Sequence, residues 1–498
     1  VNAVKGDGWS VSIPPLTSEY IEVHAAHRPT QVAVMFHGQS WDYARFDQDI
    51  KRFTLALREF GLAPGSRVAV ATRKMYLHWV LLLACENLGL VTWSFLHGEE
   101  AEVLRIQLPV ADLVISEDPV PSGAARRLQM ITESWLEETG RRDPALYAAA
   151  GLPLKVAMES PWRIRRSSGT TGQQKMIEAS RRVEETWLHG FAGCIDFTQH
   201  SRYVARRHFT VGSIYSCSTV CVRLGATVIL DTTSDTLEVF ERFKPTHMRM
   251  FQPELIRLLD EMPVDWQKPL DFTLLVGAAP LSARAWQRTN ERLTDRIVYN
   301  YNSNECGSIC LMRPDGIGTV RPGVEVRIID EAGRVLGAGE TGQITVRSAS
   351  AASAYLRDDE ATRRTFRDGW VHTGDLGTVV GPRQIRIVGR VDDLLNVGGL
   401  KLMPAELEDP IRAGAPVADV GVCVIADENG LGRLHIALVR KPEASPEAAV
   451  EFVRQTVPSA FGRMHVIFFP RLPRTETGKL RRAEMRSEIV RFLETKRS

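Results

Sequence analysis

The chain has 498 residues, a formal net charge of +2, 44% apolar residues and 24% charged residues. That length exceeds what one core organises and sets two to four domains, and the balanced charge gives no footing for a nucleic-acid or anionic-membrane partner. The seven cysteines, Cys85, Cys194, Cys217, Cys221, Cys306, Cys310 and Cys423, are odd in number and dispersed, which argues against a disulfide framework or a zinc site and for buried thiols in a reducing cytoplasm.

Residues 1–15 have no charged n-region and no apolar core, so no secretory leader is expected. Residues 67–71 (RVAVA) form a β-branched run after the turn signal Pro64-Gly65-Ser66. A helix is predicted over 76–87, stopped by Gly89, with strands over 90–95 and 111–116. The apolar stretch 79–96 carries Glu86 and Asn87, too polar for a membrane span and suited to a buried helix and strand. The pattern recurs as a strand over 227–230, a helix over 237–243, and strands over 248–251 and 274–276. Strand and helix alternating in this way predict a parallel α/β sheet. After about residue 314 the texture changes. Segments 324–330, 342–347 and 384–388 alternate between Gly-rich turns and predict antiparallel, barrel-like structure. Strands over 419–425 and 434–439 and a helix over 446–455 make a further unit.

One segment reads Ser167-Ser168-Gly169-Thr170-Thr171-Gly172-Gln173-Gln174-Lys175. Small residues let backbone N–H groups face a phosphate, hydroxyls add donors and Lys175 adds charge. It is not the Walker pattern, and alone it fits a phosphate cradle and a flexible polar loop equally well. Tyr301-Asn302-Ser303-Asn304-Glu305 follows the strand Ile297-Val298. A Tyr at a strand end can stack on a base, and a Glu four residues on can hold a metal. Gly369-Trp370-Val371-His372-Thr373-Gly374-Asp375 is predicted to end in a turn whose carboxylate can accept from two ribose hydroxyls, or else is a plain surface turn. Gly389-Arg390-Val391-Asp392-Asp393 precedes Gly398-Gly399, and Gly478-Lys479 lies near the C-terminus.

In this order the segments resemble the adenylate-forming superfamily of acyl-CoA synthetases, aryl-acid ligases, peptide-synthetase adenylation domains and firefly luciferase. The resemblance extends through residues 276–281 (VGAAPL), 321–326 (RPGVEV), 339–343 (GETGQ) and 473–479 (PRTETGK), covering almost the whole chain. It implies an α/β fold with a large N-terminal ATP- and acyl-binding domain (1–388) of parallel and mixed sheets plus a barrel-like subdomain. A hinge at 389–393 and a small mobile α+β domain (394–498) carrying the catalytic Lys would follow.

The resemblance also implies roles. Ser168, Gly169, Thr170, Thr171, Gly172 and Lys175 would hold the ATP phosphates. Gly277, Ala278 and Ala279 would line the adenine and acyl sites. Tyr301 would stack on adenine, with Asn304 beside the phosphates, and Asp375 would bind the ribose with Arg390 nearby. Lys479, Thr171 and Glu305 would be catalytic, Glu305 through Mg²⁺. Phe209, Gly212, Ser213, Gly277 and Cys306 would shape the acyl pocket, Asp392 would be the hinge, and Gly398 and Gly399 would line the coenzyme A tunnel. Attack of a carboxylate on the α-phosphate brings two anions together, and Mg²⁺ and Lys479 would offset that repulsion.

The chain departs from the family at Gln174 and Met176, where Pro and Gly are usual, and at Asn302 and Asn304, where Gly and Thr are usual. No Asp or Glu occurs between Tyr203 and Leu230, so a substrate ammonium has no partner there. The small Ser213, Ser216, Cys217 and Ser218 leave room for an aryl or fatty acyl group. Coenzyme A is the expected thiol, with Arg440 and Lys441 as candidates for its phosphates, and a separate acyl carrier protein is the second choice. A degenerate nucleotide-binding regulatory protein is the alternative from outside enzymology, and the retention of Lys479 argues against it.

Overall fold

A computed structural model describes residues 14–166, 175–277, 281, 283–391, 393, 395–397, 400–426, 432–458, 464–475 and 478–495. The residues gather into two compact units. One is drawn from the chain up to Arg165 and from Ile177–Arg249, the other from Arg166–Met176 and Met250 onward.

The first unit holds two sheets. In one, the strands run in the order Leu128–Met130, Leu113–Ser116, Arg67–Ala71, Val91–Ser94, Pro161–Arg166 and Met176–Ser180. The pairings from Leu128–Met130 to Pro161–Arg166 are parallel, as the strand–helix alternation requires. Helix Met75–Asn87 is buried on every side, which is why it lacks an amphipathic stripe. Strand Val91–Ser94 is likewise wholly buried, matching the near-continuous apolar run of a covered parallel strand. In the second sheet Val32–Phe36, Thr227–Leu230, Arg202–Ala205 and His247–Phe251 pair in parallel. Gln39–Asp42 folds back antiparallel on Val32–Phe36. The connecting His37 and Gly38 have φ of 47° and 78°, the twist a two-residue hairpin needs.

In the second unit Thr273–Gly277 pairs in parallel with Arg296–Ser303. From there the sheet is antiparallel through Gly307–Met312, Ile317–Val320, Gln384–Arg390, Trp370–Gly381, Thr341–Ser348 and Val324–Ile329. No closed barrel is present among the described pairings. Further on, Val417–Ala426 pairs antiparallel with Gly432–Arg440, which pairs in parallel with Met464–Phe468. Period-two alternation gives this small sheet two apolar faces. Val420, Val422, Leu434 and Ile436 pack with Ile411 and Val453, while Cys423, Ala437 and Ile467 pack with Met485 and Ile489. A Cβ at Gly421 would lie 2.5 Å from Met485 Sδ, so glycine there lets the helix Arg482–Thr495 seat closely.

All seven cysteines are free, and all but Cys194 are buried. Among the described residues no helix is long and apolar enough to cross a membrane.

Candidate active site

The second unit brings together five of the side chains singled out from the sequence. Tyr301 lies on the strand Arg296–Ser303, next to a register shift between Tyr301 and Asn302. Asp375 lies not in a turn but inside the long strand Trp370–Gly381. The turn comes earlier, at Asp368 and Gly369, where φ is 52° and 74°. Gly374 has φ +73°, and a Cβ there would come within 3.0 Å of Arg390 Nη2. Glycine at 374 therefore both bends the strand and leaves room for the guanidinium.

Asp375 pairs with Arg390 across the ladder, and Arg390 Nη1 donates to Asp375 Oδ1 at 3.0 Å. The Tyr301 hydroxyl donates to Asp375 Oδ2. Each carboxylate oxygen thus has one donor among the described residues, which leaves a lone pair for a further hydroxyl. Burial raises the Asp375 carboxyl above its ordinary range, against the opposing pull of Arg390, the Tyr301 hydrogen bond and Lys479. Burial lowers the Lys479 ammonium, and the fields of Asp375, Glu305 and Asp393 do not fully offset it.

Lys479 is carried on a braced loop. Thr475 N–H donates to the Lys479 carbonyl at 2.8 Å, and Gly478 N–H donates to the Thr475 carbonyl at 2.8 Å. Lys479 N–H donates to Thr475 Oγ1 at 3.1 Å. Arg474 reaches Gly478 O at 2.6 Å and forks onto Asp419 at 2.8 and 2.6 Å. Gly478 has φ +83°, and a Cβ there would lie 2.5 Å from Pro253 Cγ.

A second cluster surrounds Glu305. Its Oε1 accepts from the Tyr355 hydroxyl at 2.8 Å, and Lys175 Nζ stands 4.9 Å from the centre of the Tyr355 ring. Asn304 Nδ2 donates to the Arg166 carbonyl at 2.9 Å, so this amide fastens the residue just before the Ser/Thr/Gly loop. Among the described residues no group of three or more His, Cys, Asp or Glu could cage a metal. Mg²⁺ keeps its waters and needs one or two carboxylates beside substrate phosphates. Glu305 would supply the carboxylate.

Gly277 closes the strand Thr273–Gly277, and Cys306 is buried with its N–H on Ser303 Oγ at 3.3 Å. In the first unit Phe209 is 1% exposed, and Gly212 and Ser213 open the helix Gly212–Arg223. Ser168, Gly169, Thr170, Thr171, Gly172, Gln174, Ala278, Ala279, Asp392, Gly398 and Gly399 lie outside the described residues. Sequence reasoning missed Tyr355 and Asp419. Nothing local marks either of them, because each meets its partner only through the fold. Arg474 was within reach, since it sits in the PRTETGK segment.

The model of the AMP-binding enzyme family matches residues 21–356. The chain is 27% identical to 4-coumarate–CoA ligase-like 9 of Oryza sativa subsp. japonica, over 97% of this chain and 93% of that protein. It is 25% identical to indoleacetate–CoA ligase of Aromatoleum aromaticum (95% and 98% covered). It is also 25% identical to fatty acid–[acyl-carrier-protein] ligase ScoC of Streptomyces coeruleorubidus (94% and 95%). Its fold is shared by ATP-bound MatB from Rhodopseudomonas palustris, with a TM-score of 0.82 at 21% identity over 94% of this chain and 98% of that one. The anthranilate CoA ligase AuaEII in complex with anthranoyl-AMP gives 0.83 at 20% identity over 96% and 98%. A family match spanning two thirds of its length, with relatives along nearly all of it, makes the chain a member of the AMP-binding enzyme family, an ATP-dependent, AMP-forming acid–thiol ligase of the acyl-CoA synthetase type.

Proposed function

We propose that the chain activates an acyl or aryl carboxylic acid and delivers it to coenzyme A through the residues described above. A carboxylate oxygen of the acid attacks the α-phosphorus of ATP, the bond to the β,γ-phosphates breaks, and pyrophosphate leaves. The coenzyme A sulfur then attacks the acyl carbonyl carbon, AMP leaves, and the thiol proton passes to solvent. The observation that carries this reading is the convergence of Lys479, Asp375, Arg390 and Tyr301 in one charged group.

Asp375 holds the ribose hydroxyls, oriented by Arg390 and by the Tyr301 hydroxyl, and the Tyr301 ring stacks on adenine. Lys479 offsets the charge that builds between the carboxylate and the α-phosphate. Glu305 would hold Mg²⁺, which would supply positive charge to neutralise the phosphates. Lys175 and residues 168–172 hold the β,γ-phosphates. Phe209, Gly212, Ser213, Gly277 and Cys306 shape the acyl pocket. Residues 389–393 form the hinge between a domain of residues 1–388 and one of 394–498. Arg440 and Lys441 meet the coenzyme A phosphates. Free, buried cysteines support a reducing, cytoplasmic setting.

Carboxylate-dependent ATP–pyrophosphate exchange over a panel of acids tests the first step, and AMP release with and without coenzyme A tests the second. Exchange with one acid class and AMP release stimulated by coenzyme A are expected. Release that needs an acyl carrier protein instead would replace the acceptor, a reading favoured by the similarity to ScoC.

A further inference from the structure

Tyr355, in the second unit, is buried and has partners on both its hydroxyl and its ring. The hydroxyl donates to Glu305 Oε1 at 2.8 Å and takes a hydrogen bond from the Thr365 side chain. Among the described residues, the bond from Tyr355 is the one hydrogen bond on the Glu305 carboxylate. Lys175 Nζ stands 4.9 Å from the centre of the Tyr355 ring. A phenol has a single proton to give, and here the carboxylate receives it.

Backbone bonds fasten the same segments. Ala352 N–H donates to the Glu305 carbonyl at 2.8 Å, and Leu356 N–H donates to the Met176 carbonyl at 2.7 Å. Ser350 Oγ donates to the Cys306 carbonyl at 2.9 Å. Residues 350–356 are thereby stitched to the segment that carries Glu305 and to the one that carries Lys175. Tyr355 itself is set from behind. Its N–H donates to Thr362 Oγ1 at 2.9 Å, and its ring meets Phe366 edge to face at 5.2 Å.

A tyrosine does two things here that neither a phenylalanine nor a serine could combine. Its hydroxyl fixes the orientation of a carboxylate, as the outer partners of metal-binding side chains do. The face of its ring attracts an ammonium within about 6 Å, which limits where the charge of a long, flexible lysine comes to rest. Sharing the phenolic proton with a carboxylate also enriches the ring in electrons, so the two contacts reinforce one another. We infer that Tyr355 is a positioning residue that holds Glu305 and Lys175 at a set separation, so that the Mg²⁺ and β,γ-phosphate sites stand in register before ATP arrives. Tyr355 acts through these two side chains and touches neither metal nor nucleotide. This rests on the roles proposed above for Glu305 and Lys175.

Tyr355→Phe keeps the ring and removes the hydroxyl, and Tyr355→Leu removes both. ATP binding is measured by calorimetry over a range of Mg²⁺ concentrations and in EDTA, the Mg²⁺ dependence of ATP–pyrophosphate exchange is titrated, and Tm is recorded. In Tyr355→Phe the Mg²⁺ concentration for half-maximal effect should rise about 10- to 100-fold. ATP binding in EDTA should hold, and excess Mg²⁺ should restore exchange. In Tyr355→Leu ATP binding in EDTA should also weaken, by about 2- to 5-fold, through the lost ring contact of Lys175. A Tyr355→Phe protein with the wild-type Mg²⁺ requirement overturns the inference, as does one that loses ATP equally with and without Mg²⁺ and melts lower. Should Tyr355→Leu fail to fold, Tyr355→Phe decides alone. Glu305→Gln separates the inference from the reading beneath it. If Glu305→Gln raises the Mg²⁺ requirement and Tyr355→Phe does not, the inference falls and Glu305 keeps its role. If Glu305→Gln leaves the requirement unchanged, the role of Glu305 falls and takes the inference with it.

Discussion

Lys479 and Arg482 sit three positions apart in the same segment, and the second unit treats their charges in opposite ways. Burial alone would lower the Arg482 guanidinium, yet Glu408 more than compensates. Its oxygens lie at 2.5 and 2.9 Å, with the Val422 carbonyl at 3.0 Å and Asp393 at 3.3 Å. For Lys479 burial wins, and no hydrogen bond from its ammonium occurs among the described residues. A cation compensated in this way ties helix Arg482–Thr495 to its sheet through Glu408 and the Val422 carbonyl. In the role proposed for Lys479, a cation left short of compensation would be ready for a charge that develops only during reaction.

The largest expected effect tests the first half of that contrast. Arg482→Met leaves Glu408 buried without its partner and should cost about 3–5 kcal/mol of stability, read by urea unfolding. Adding Glu408→Gln should recover a good part of it. Lys479→Ala tests the other half. It should cost about 2.7–4 kcal/mol of transition-state stabilisation for adenylate formation, with Tm held and with transfer from supplied acyl-adenylate largely kept. An equal loss in both half-reactions would remove the contrast. Tyr301→Phe deletes the hydroxyl on Asp375 and should weaken ATP by about 1.5–3 kcal/mol, seen as a raised KM for ATP.

The smallest effect is a pH dependence. Lys479 titrates below the ordinary lysine value of 10.5. A depressed pKa in the fold means that its stabilising contribution is present above the unfolded value and is lost as pH falls through the folded one. At neutral pH the charged side chain therefore costs stability. Lys479→Met should be at least as stable as wild type at pH 7, with the margin shrinking as pH rises towards 10.5. The basic limb of the adenylation rate should fall below 10.5, and Lys479→Arg should move it upward.

The elements were legible in the sequence wherever burial sets the pattern. The β-branched run Arg67–Ala71, the apolar helix Met75–Asn87 and the run Thr227–Leu230 stand where composition put them. The segment around Asp375 was misplaced into a turn because glycine next to Asp is a turn signal. In the folded chain the positive φ of Gly374 makes a kink within a strand, and its pairing with Gln384–Arg390 is invisible in local sequence. Asp375, Lys479 and Glu305 were legible only as an ordered set of motifs. Tyr355, which meets Glu305, and Asp419, which meets Arg474 beside the Lys479 loop, depend on contacts across 50 residues or more.

The bracing of the Lys479 loop has a consequence for turnover. A lysine on a loose tail would have to search for its position in every cycle, and freezing backbone and rotamers each time would slow the approach to the transition state. Arg474, forked onto Asp419 and bonded to the Gly478 carbonyl, joins the loop to the strand Val417–Ala426. Ordering of the loop is thereby met once, when the chain folds. With the proposed hinge, the side chain would travel as the tip of a stiff lever, and cutting the Arg474 fork would make that tip slack without touching the ammonium itself.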